Sequence, residues 1–327
     1  MATLLLTRSE VETLLDPGAI VPALRRAFVA YSSTTGTRAE RARAALPGPG
    51  SATVLFPGVA PGVPAYTVKV HAKFPAERPA IRGVLCLHAS ASGALLAVMD
   101  STHLTAVRTG LAGALAAHVL ARADADPVAV VGAGVQGTQQ LRALAALRAA
   151  DAAAAPLGRV RVYDVVAERA AAFARALAPE IGVAVEPASS CDAAVRDAGI
   201  VLVATWARAP FLVAGMLAPG THVTTLGADE PGKAEVAAEV LRDALFVCDD
   251  RALAAAMGAL AGVGLGVDAV AAELGEVLAG THPGRTSAAE ITVYGGIGLA
   301  FQDAVAAWAV YEAARRRGVG REIDFLA

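Results

Sequence analysis

The sequence predicts an α/β protein of two domains, one with a doubly wound parallel sheet and a smaller one of α+β type. Strand-like apolar runs recur at 128–131, 160–163, 183–185, 200–204, 222–226 and 245–248, with helical segments between them. Such alternation is typical of a parallel sheet covered by helices. The residues before about 100 differ, because a Gly/Pro-rich segment of short strands follows two helices there. The chain of 327 residues is long enough to bury two cores.

The elements follow in order along the chain. Residues 9–31 have the spacing of an amphipathic helix pair broken at Asp16-Pro17, and the short strands then run to about residue 100. A long Ala/Leu helix is predicted over 104–122, and 123–127 is predicted to be a linker. The last helix, about 298–317, has the apolar spacing of a packed helix and is expected to return to the first domain. The predicted domains are 1–122 with 300–327, and 123–299.

Composition narrows the class of partner. The formal net charge of −2 and pI near 6.3 provide no basic surface for nucleic acid, and no Lys/Arg run suggests binding to an anionic membrane. We find neither a secretory signal nor an apolar stretch of the roughly 20 residues that span a bilayer. The cysteines Cys86, Cys191 and Cys248 form no CxxC and are interpreted as buried thiols of a cytoplasmic protein. We therefore expect small-molecule partners and no metal site.

The segment VAVVGAGVQG at 128–137 predicts a dinucleotide-binding turn. An apolar β-branched run leads directly into Gly132, Gly134 and Gly137, and a helical pattern follows. In a Rossmann-type turn these glycines permit a tight turn, close approach of backbone N–H groups to a pyrophosphate, and close packing of the helix on the strand. The N-terminus of the helix then faces the phosphates.

Asp164 ends the second strand-like run of this domain. A carboxylate at that position accepts hydrogen bonds from both ribose hydroxyls and repels a 2′-phosphate, so NAD(H) is favoured and NADP(H) is the alternative cofactor. The neighbouring Val165 and Val166 offer no basic partner for a 2′-phosphate. Asp164 could instead only cap the following helix.

Polar residues on one strand form a first candidate site. Lys69, His71 and Lys73 alternate with Val68, Val70 and Ala72, so the three polar side chains share one face of the strand. That face is either solvated, as is common in antiparallel sheets, or part of a binding site.

Two further segments carry candidate polar residues. Arg108 and Thr109, near the start of the long apolar helix, are interpreted either as a clamp for phosphate or carboxylate or as ordinary polarity at a helix entry. Asp229 lies just past a strand end of the second domain, where open α/β sheets bind ligands. Its alternative role is that of a turn aspartate before Pro231-Gly232.

Together, five segments resemble the ornithine cyclodeaminase and μ-crystallin family, and the similarity covers nearly the whole chain. They are Arg41 sixteen residues before Pro57 of VLFP, Lys69 in YTVKV, LLAVMDSTHLTAVRTGLAGALAA at 95–117, LGADEPGKAEV at 226–236 and ITVYGGIGLAFQD at 291–303. The resemblance implies a homodimer of two-domain subunits. Their N-terminal domain, closed by the C-terminal helix, would bind substrate and form the dimer interface.

The resemblance also implies roles for individual residues. Arg41, Lys69 and Arg108 would hold the substrate carboxylate, and the two arginines should lower the pKa of Lys69 so that it can also transfer a proton. Asp229 matches the catalytic carboxylate that activates water or the amine, and Ile297 is expected to contact the substrate. Cofactor contacts are expected from Thr109, Gly132, Gly134, Val135, Gln136, Gly137, Asp164, Thr205, Leu226, Lys233 and Gly296.

The chemistry implied by the resemblance is hydride exchange at the α-carbon of an L-amino acid. The imine is then hydrolysed, as in alanine dehydrogenases, or attacked by a distal amine and reduced again, as in cyclodeaminases. In the reverse direction, the same site reduces cyclic ketimines.

Residues 44–68 lack Asp and Glu, whereas ornithine-specific members carry an acidic residue there. Because an unpaired buried ammonium is costly, an uncharged side chain or a ring is favoured.

Other interpretations remain open from the sequence. Ornithine or lysine cyclodeamination is the first alternative, with Glu77 or Glu230 supplying the missing carboxylate. A second is a non-catalytic dinucleotide-binding protein, as a lens crystallin of the family can be. A biosynthetic enzyme for an unusual amino acid would use the same fold and site.

Overall fold

The computed structural model describes residues 2–33, 41–48, 51–74, 76–77 and 79–325. It contains two compact units: an N-terminal unit, Met1–Arg108 with Leu299–Ala327, and a central unit, Thr109–Gly298. The first boundary falls inside a long helix, whereas the sequence-based division assigns that helix whole to the first domain.

The strands and helices are as follows in chain order. The strands are β1 (Thr3–Leu6), β2 (Ala42–Ala45), β3 (Ala52–Val59), β4 (Ala65–Lys73), β5 (Ile81–Ala89), β6 (Leu95–Asp100), β7 (Val128–Val131), β8 (Arg159–Tyr163), β9 (Ala184–Pro187), β10 (Ile200–Val203), β11 (His222–Thr225), β12 (Leu245–Cys248), β13 (Ala272–Glu273), β14 (Thr292–Gly295) and β15 (Arg321–Ile323). The helices are α1 (Arg8–Leu14), α2 (Pro17–Ser33), α3 (Ser101–Leu120), α4 (Val135–Ala150), α5 (Ala167–Ile181), α6 (Cys191–Val195), α7 (Ala238–Asp243), α8 (Arg251–Met257), α9 (Leu274–Ala279) and α10 (Ala300–Arg317).

The N-terminal unit is built on one mixed sheet. Its strand order is β15-β1-β6-β5-β4-β3-β2, in which β1 and β6 pair in parallel and the other neighbours are antiparallel. Helix α10 packs on β3 and β4 and against α2, so the end of the chain completes the layer that begins near its start. The helix pair, the strands before residue 100 and the return of the last helix agree with the sequence prediction. Strands β1 and β15 were not predicted, because both are short and pair with segments distant along the chain.

Strand β4 buries its polar face. Lys69 is fully buried and His71 and Lys73 nearly so, whereas Val70 on the opposite face is 40% exposed. Of the two interpretations of this face, the solvated one is therefore wrong. The reason is tertiary, because α10 covers this face and supplies a carboxylate, Asp303, directly to the Lys69 ammonium.

The central unit contains an eight-stranded sheet that is parallel throughout. Its order is β13-β12-β14-β11-β10-β7-β8-β9, and β9-β8-β7-β10-β11-β14 corresponds to the strand order 3-2-1-4-5-6 of a doubly wound dinucleotide-binding sheet. All six strands predicted for this domain are present. The strand order reverses between β7 and β10, where such sheets bind their ligands.

The sheet also contains two strands that were not predicted. Strand β14 lies between β11 and β12, and β13 pairs with β12. Strand β14 has only four residues, all buried, and is bounded by glycine. A run so short shows no periodicity of its own, so its place in the sheet depends on its neighbours.

Two expectations from composition can also be compared with the fold. Cys248 is buried as expected, whereas Cys86 and Cys191 are only half-buried and the expectation that they are buried is wrong. In the part of the chain that the structure describes, no helix has the length and apolarity required to cross a bilayer.

Candidate functional site

The turn after β7 sterically requires glycine at Gly132 and Gly137 and is open at Gly134. Gly132 has φ +102°, and a Cβ there would collide with the carbonyl oxygen of Ala204 after β10. A Cβ on Gly137 would meet the Gly132 carbonyl and lie 3.1 Å from Val130, so this glycine sets the close packing of α4 on β7. Gly134, the N-cap of α4, has open space where its side chain would be. A phosphate group can therefore approach the backbone there.

Asp164 reaches back to this turn. Its Oδ2 accepts a hydrogen bond from the Ala133 amide at 3.0 Å and its Oδ1 one from the Val166 amide at 2.9 Å. The N-cap of α5 is Val166, so Asp164 does not have the N-cap role that was the alternative. Val165 and Val135 beside the turn are 86% and 63% exposed, which provides apolar surface for a planar ring.

Four other predicted cofactor residues belong to the central unit, as does Ile297. Gln136, in the first turn of α4, has a buried amide oxygen with no hydrogen-bond partner among the described residues, and Thr109 is half-buried in α3. Leu226 is buried after β11, and Gly296 donates its amide to Thr225 O. The Ile297 side chain packs in the hydrophobic core of the central unit and its amide donates to Asp249 Oδ2 at 2.9 Å, so the substrate contact predicted for Ile297 stays a prediction.

A carboxylate that sequence reasoning missed joins the ends of β10 and β11. Glu235 is buried and accepts hydrogen bonds from the Thr205 amide and hydroxyl at 2.6 and 2.7 Å. It also accepts one from the Thr225 hydroxyl at 2.6 Å and one from the Gly227 amide at 2.9 Å. Burial raises the pKa of Glu235, while these four hydrogen bonds oppose that rise. Glu235 thus fixes Thr205, one of the predicted cofactor contacts.

Asp229 follows β11 beside a buried lysine. The Lys233 ammonium lies 2.8 Å from Asp229 Oδ1, 3.2 Å from Glu230 Oε1 and 4.2 Å from the ring centroid of Trp206. The Asp229 side chain remains 29% exposed. Trp206, which no sequence argument selected, is 51% exposed. This group therefore presents an accessible carboxylate, whose partner cation is itself held by an aromatic face.

The N-terminal unit brings together the three cations predicted to hold a carboxylate. The Lys69 ammonium donates to Asp303 Oδ2 at 2.7 Å, and Arg108 Nε donates to Asp303 Oδ1 at 3.0 Å. The Arg41 guanidinium and the Lys69 ammonium lie 4.9 and 4.5 Å from the ring centroid of Phe56. Arg108 lies in the second turn of α3 and is buried, so it is not mere polarity at a helix entry.

Further hydrogen bonds complete this cluster. Arg108 Nη1 donates to Gln302 Oε1 at 2.6 Å, and the Lys69 ammonium lies 3.3 Å from the Thr105 hydroxyl. A cation held by two or three protein groups has a fixed head-group position, which suits recognition of a planar carboxylate.

The cluster perturbs the protonation of Lys69. The pKa of Lys69 is lowered to about 7; burial is the largest cause, Arg108 and Arg41 act in the same direction, and Asp303 opposes them. The predicted direction is confirmed, but desolvation contributes more than the two arginines. Burial, together with the charge of Lys69, also lowers the pKa of His71 to about 3, so this imidazole is neutral at physiological pH.

Asp303 and Gln302 were also missed, although the sequence contains a signal for them. They interrupt the apolar segment ITVYGGIGLAFQDAVAAWAV, in which composition requires no polar residue. Both are fully buried. A carboxylate inside an apolar run predicts a buried cation partner, because an unpaired buried charge is costly.

Comparisons with known proteins agree with this architecture. The sequence matches the profile of the ornithine cyclodeaminase/mu-crystallin family over residues 1–318. Alanine dehydrogenase of Archaeoglobus fulgidus is 34% identical over 345 aligned positions, covering 100% of this chain and 99% of that protein. An archaeal alanine dehydrogenase dimer with bound NAD has TM-score 0.89 and 32% identity, covering 100% of both chains. Thermococcus litoralis Δ1-pyrroline-2-carboxylate reductase in complex with NADH and L-proline has TM-score 0.89 and 28% identity, covering 98% of this chain and 100% of that one.

Proposed function

Because the chain belongs to the ornithine cyclodeaminase/mu-crystallin family, we propose that it is an NAD(H)-dependent oxidoreductase acting at the α-carbon of a small L-amino acid. Its product is the imino or 2-oxo acid, and in the reverse direction it reduces a small oxo acid with ammonia or a cyclic ketimine. The observation that carries the proposal is the buried pair Lys69 and Arg108 in a chain whose central unit contains a dinucleotide turn.

The N-terminal unit binds the substrate carboxylate in this proposal. Arg41, Lys69 and Arg108 surround the position of the anion, and their fixed head groups orient the α-carbon, which is the positioning contribution to catalysis. Lys69 also exchanges a proton with the amine or water, because a pKa of about 7 allows both of its protonation states at physiological pH.

The central unit binds the cofactor and supplies the second catalytic group. When bound, NAD(H) supplies the hydride acceptor or donor. Gly132, Gly134 and Gly137 receive its pyrophosphate, and the Asp164 carboxylate binds the adenine ribose. Asp229 accepts a proton from the water or amine that attacks the α-carbon and returns it to the amine or water that leaves.

An uncharged side chain or a ring is the proposed substrate class. A substrate with a distal ammonium needs an acidic partner, and residues 44–68 contain none. The two candidate substitutes already have partners, since Glu77 pairs with Arg82 at 3.0 Å and Glu230 with Lys233 at 3.2 Å. Alanine with pyruvate, and pyrroline-2-carboxylate with proline, fit this requirement.

A panel of substrates tests the proposal. NADH absorbance is followed with pyruvate plus ammonia, pyrroline-2-carboxylate and piperideine-2-carboxylate, and amino-acid products are analysed after incubation with ornithine or lysine and catalytic NAD. We expect stoichiometric NADH consumption with an oxo acid or imine. Proline or pipecolate formed with ammonia release and no net change in NADH would instead identify a cyclodeaminase. NADH binding without turnover of any substrate would favour the crystallin-like alternative.

A homodimer is also part of the proposal. One face of the N-terminal sheet exposes apolar side chains on three neighbouring strands: Leu55 at 39%, Val70 at 40% and Val84 at 46%. Contiguous exposed apolar surface of this kind marks an interaction site. The alanine dehydrogenase at TM-score 0.89 is a dimer, which supports self-association as the use of this face.

A further inference from the structure

The chain contains 28 lysine and arginine residues in total, of which only three are lysines: Lys69, Lys73 and Lys233. All three are buried, and two of them belong to the clusters described above. Arginine stays charged under all physiological conditions, whereas a buried lysine can lose its proton. For the fully buried Lys69, the use of lysine in an arginine-rich chain suggests that ionisation, and not only positive charge, matters at this position.

Asp303 contacts both buried cations of the N-terminal unit. One oxygen accepts from Lys69 at 2.7 Å and the other from Arg108 at 3.0 Å. The carboxylate is fully buried, near the start of α10. Burial alone would raise the pKa of Asp303, but Arg108 and Lys69 outweigh it and hold that pKa below its usual value. Asp303 is therefore ionised at neutral pH and lies between the two cations.

We propose that Asp303 is the positioning residue of the carboxylate-binding site, one oxygen fixing the Lys69 ammonium and the other the Arg108 guanidinium. The ammonium and the guanidinium are thereby held at fixed positions relative to each other before substrate binds. The negative charge of Asp303 also stabilises the protonated form of Lys69 against the neighbouring arginines. Asp303 itself does not contact substrate in this scheme. The inference rests on the proposed function, which assigns the two cations to substrate.

The charges around Lys69 determine the sign of the expected effect. Within the described residues, Asp303 from α10, Arg108 from α3 and Arg41 act on Lys69. His71, on the same face of β4, is acted on by Lys69 and by Lys73. Removing the Asp303 charge removes both its Coulombic attraction and its hydrogen bond, each of which raises the pKa of Lys69. Burial and the arginines then act unopposed, so the pKa of Lys69 must fall below its present value of about 7.

The scarcity of lysine makes a direct titration feasible. Protein labelled with ¹³C-lysine gives three Cε signals, which the single variants Lys73→Arg and Lys233→Arg assign. In Asp303→Asn we expect the Lys69 midpoint to fall by about one pH unit or more, the usual effect of losing an adjacent opposite charge. Lys233, which pairs with Asp229 and Glu230 in the other unit, is the internal control and should keep its midpoint.

A second variant keeps the test decisive if Asp303→Asn does not fold. Arg108→Gln retains the Lys69–Asp303 pair and removes a cation that lowers the pKa of Lys69, so the midpoint should move upward. A Lys69 midpoint that stays within error of the wild-type value in either folded variant would overturn the proposal.

Kinetics separate positioning from simple stabilisation. With an accepted substrate, Asp303→Asn should raise KM for the amino or imino acid by about tenfold or more, because a deprotonated Lys69 no longer offers the substrate carboxylate a charged hydrogen bond, and should leave NADH affinity unchanged. Asp303→Glu, which retains the charge, should recover part of the loss. A lower Tm with unchanged KM would instead show a structural role only. Because the titration needs no turnover, failure of the substrate panel and failure of this inference remain distinguishable.

Discussion

Lys69 is a fully buried amine held between an apolar ring and a carboxylate. Its ammonium lies 4.5 Å from the Phe56 ring centroid and 2.7 Å from Asp303. Desolvation and ion pairing act in opposite directions on its proton, and the balance leaves a pKa of about 7. A residue poised in this way can serve both in binding an anion and in proton transfer.

Replacement of Lys69 tests this dual role. Lys69→Met retains most of the side-chain volume but removes the ammonium, and we expect kcat/KM to fall by about 10²-fold or more, as for loss of a general acid–base group. NADH affinity, measured by fluorescence titration, should persist because the glycine turn lies in the other unit. Turnover at the wild-type rate would remove Lys69 from the site.

Asp164 is the residue proposed to determine the preference for NAD over NADP. Its carboxylate accepts a hydrogen bond from the Ala133 amide of the glycine turn. At this position it would bind ribose hydroxyls and repel a 2′-phosphate. Asp164→Ala should weaken NAD far more than NADP, by about tenfold or more given the strength of charged hydrogen bonds. Asp164→Asn, which retains an acceptor for the turn amides, is the matched control for local damage. Equal losses for both cofactors in both variants would contradict the ribose assignment.

At the scale of elements, the ends of β10 and β11 are held together by one buried side chain. Glu235 accepts two hydrogen bonds from Thr205 after β10 and others from Thr225 and Gly227 at the end of β11. These strand ends form the carboxyl edge of the sheet, where the cofactor is proposed to bind. The precision of that edge therefore depends on a residue that need not touch the cofactor.

Glu235→Gln tests this coupling between strand ends. The amide has the same shape but only one accepting oxygen, so at least one donor loses its partner, at a cost of about 1–3 kcal/mol. We expect a lower Tm by scanning fluorimetry and a weaker NADH affinity at temperatures where the variant is fully folded. Glu239→Gln, in the nearby helix α7, is the control. Wild-type NADH affinity in a destabilised Glu235→Gln protein would reduce its role to stability.

At the scale of the whole molecule, the sheet of the N-terminal unit buries polar side chains and exposes apolar ones, which is the reverse of the usual arrangement. Its sheet buries Lys69, His71 and Lys73 under α10 and exposes Val70 and its neighbours on the other face. In the proposed function the buried charged face binds the substrate carboxylate, and exposed apolar surface of this kind is typical of an interaction site. The proposed homodimer accounts for the second.

Oligomeric state tests that account. Val70→Glu with Val84→Glu places two charges on the exposed apolar face, and we expect a dimer in the wild type and a monomer in the double variant by light scattering after gel filtration. Val267→Glu, at an exposed valine of the central unit, should leave the dimer intact. A monomeric wild type, or a double variant that still dimerises, would mean that this face serves another purpose.

Much of the fold could be predicted because it is locally encoded. The six strands predicted for the central unit lie within one or two residues of the observed ones. Apolar runs bounded by glycine, and the helical patterns between them, can be recognised from the local sequence alone. The glycine turn was identified for the same reason, because the strand, the glycines and the helix are contiguous in sequence. Strands β1, β14 and β15 escaped prediction because each is short and is stabilised by pairing with distant segments.

The sequence by itself determined the parallel sheet and the glycine turn, and its family resemblance led to the hypothesis that Arg41, Lys69 and Arg108 bind the substrate carboxylate. Only the tertiary structure decided which face of β4 is buried and what neutralises it there. Asp303 is separated from Lys69 by 234 positions, and no local pattern links two residues so far apart. The protonation of Lys69 depends on burial and on charges brought in by α3 and α10, and both exist only once the chain has folded.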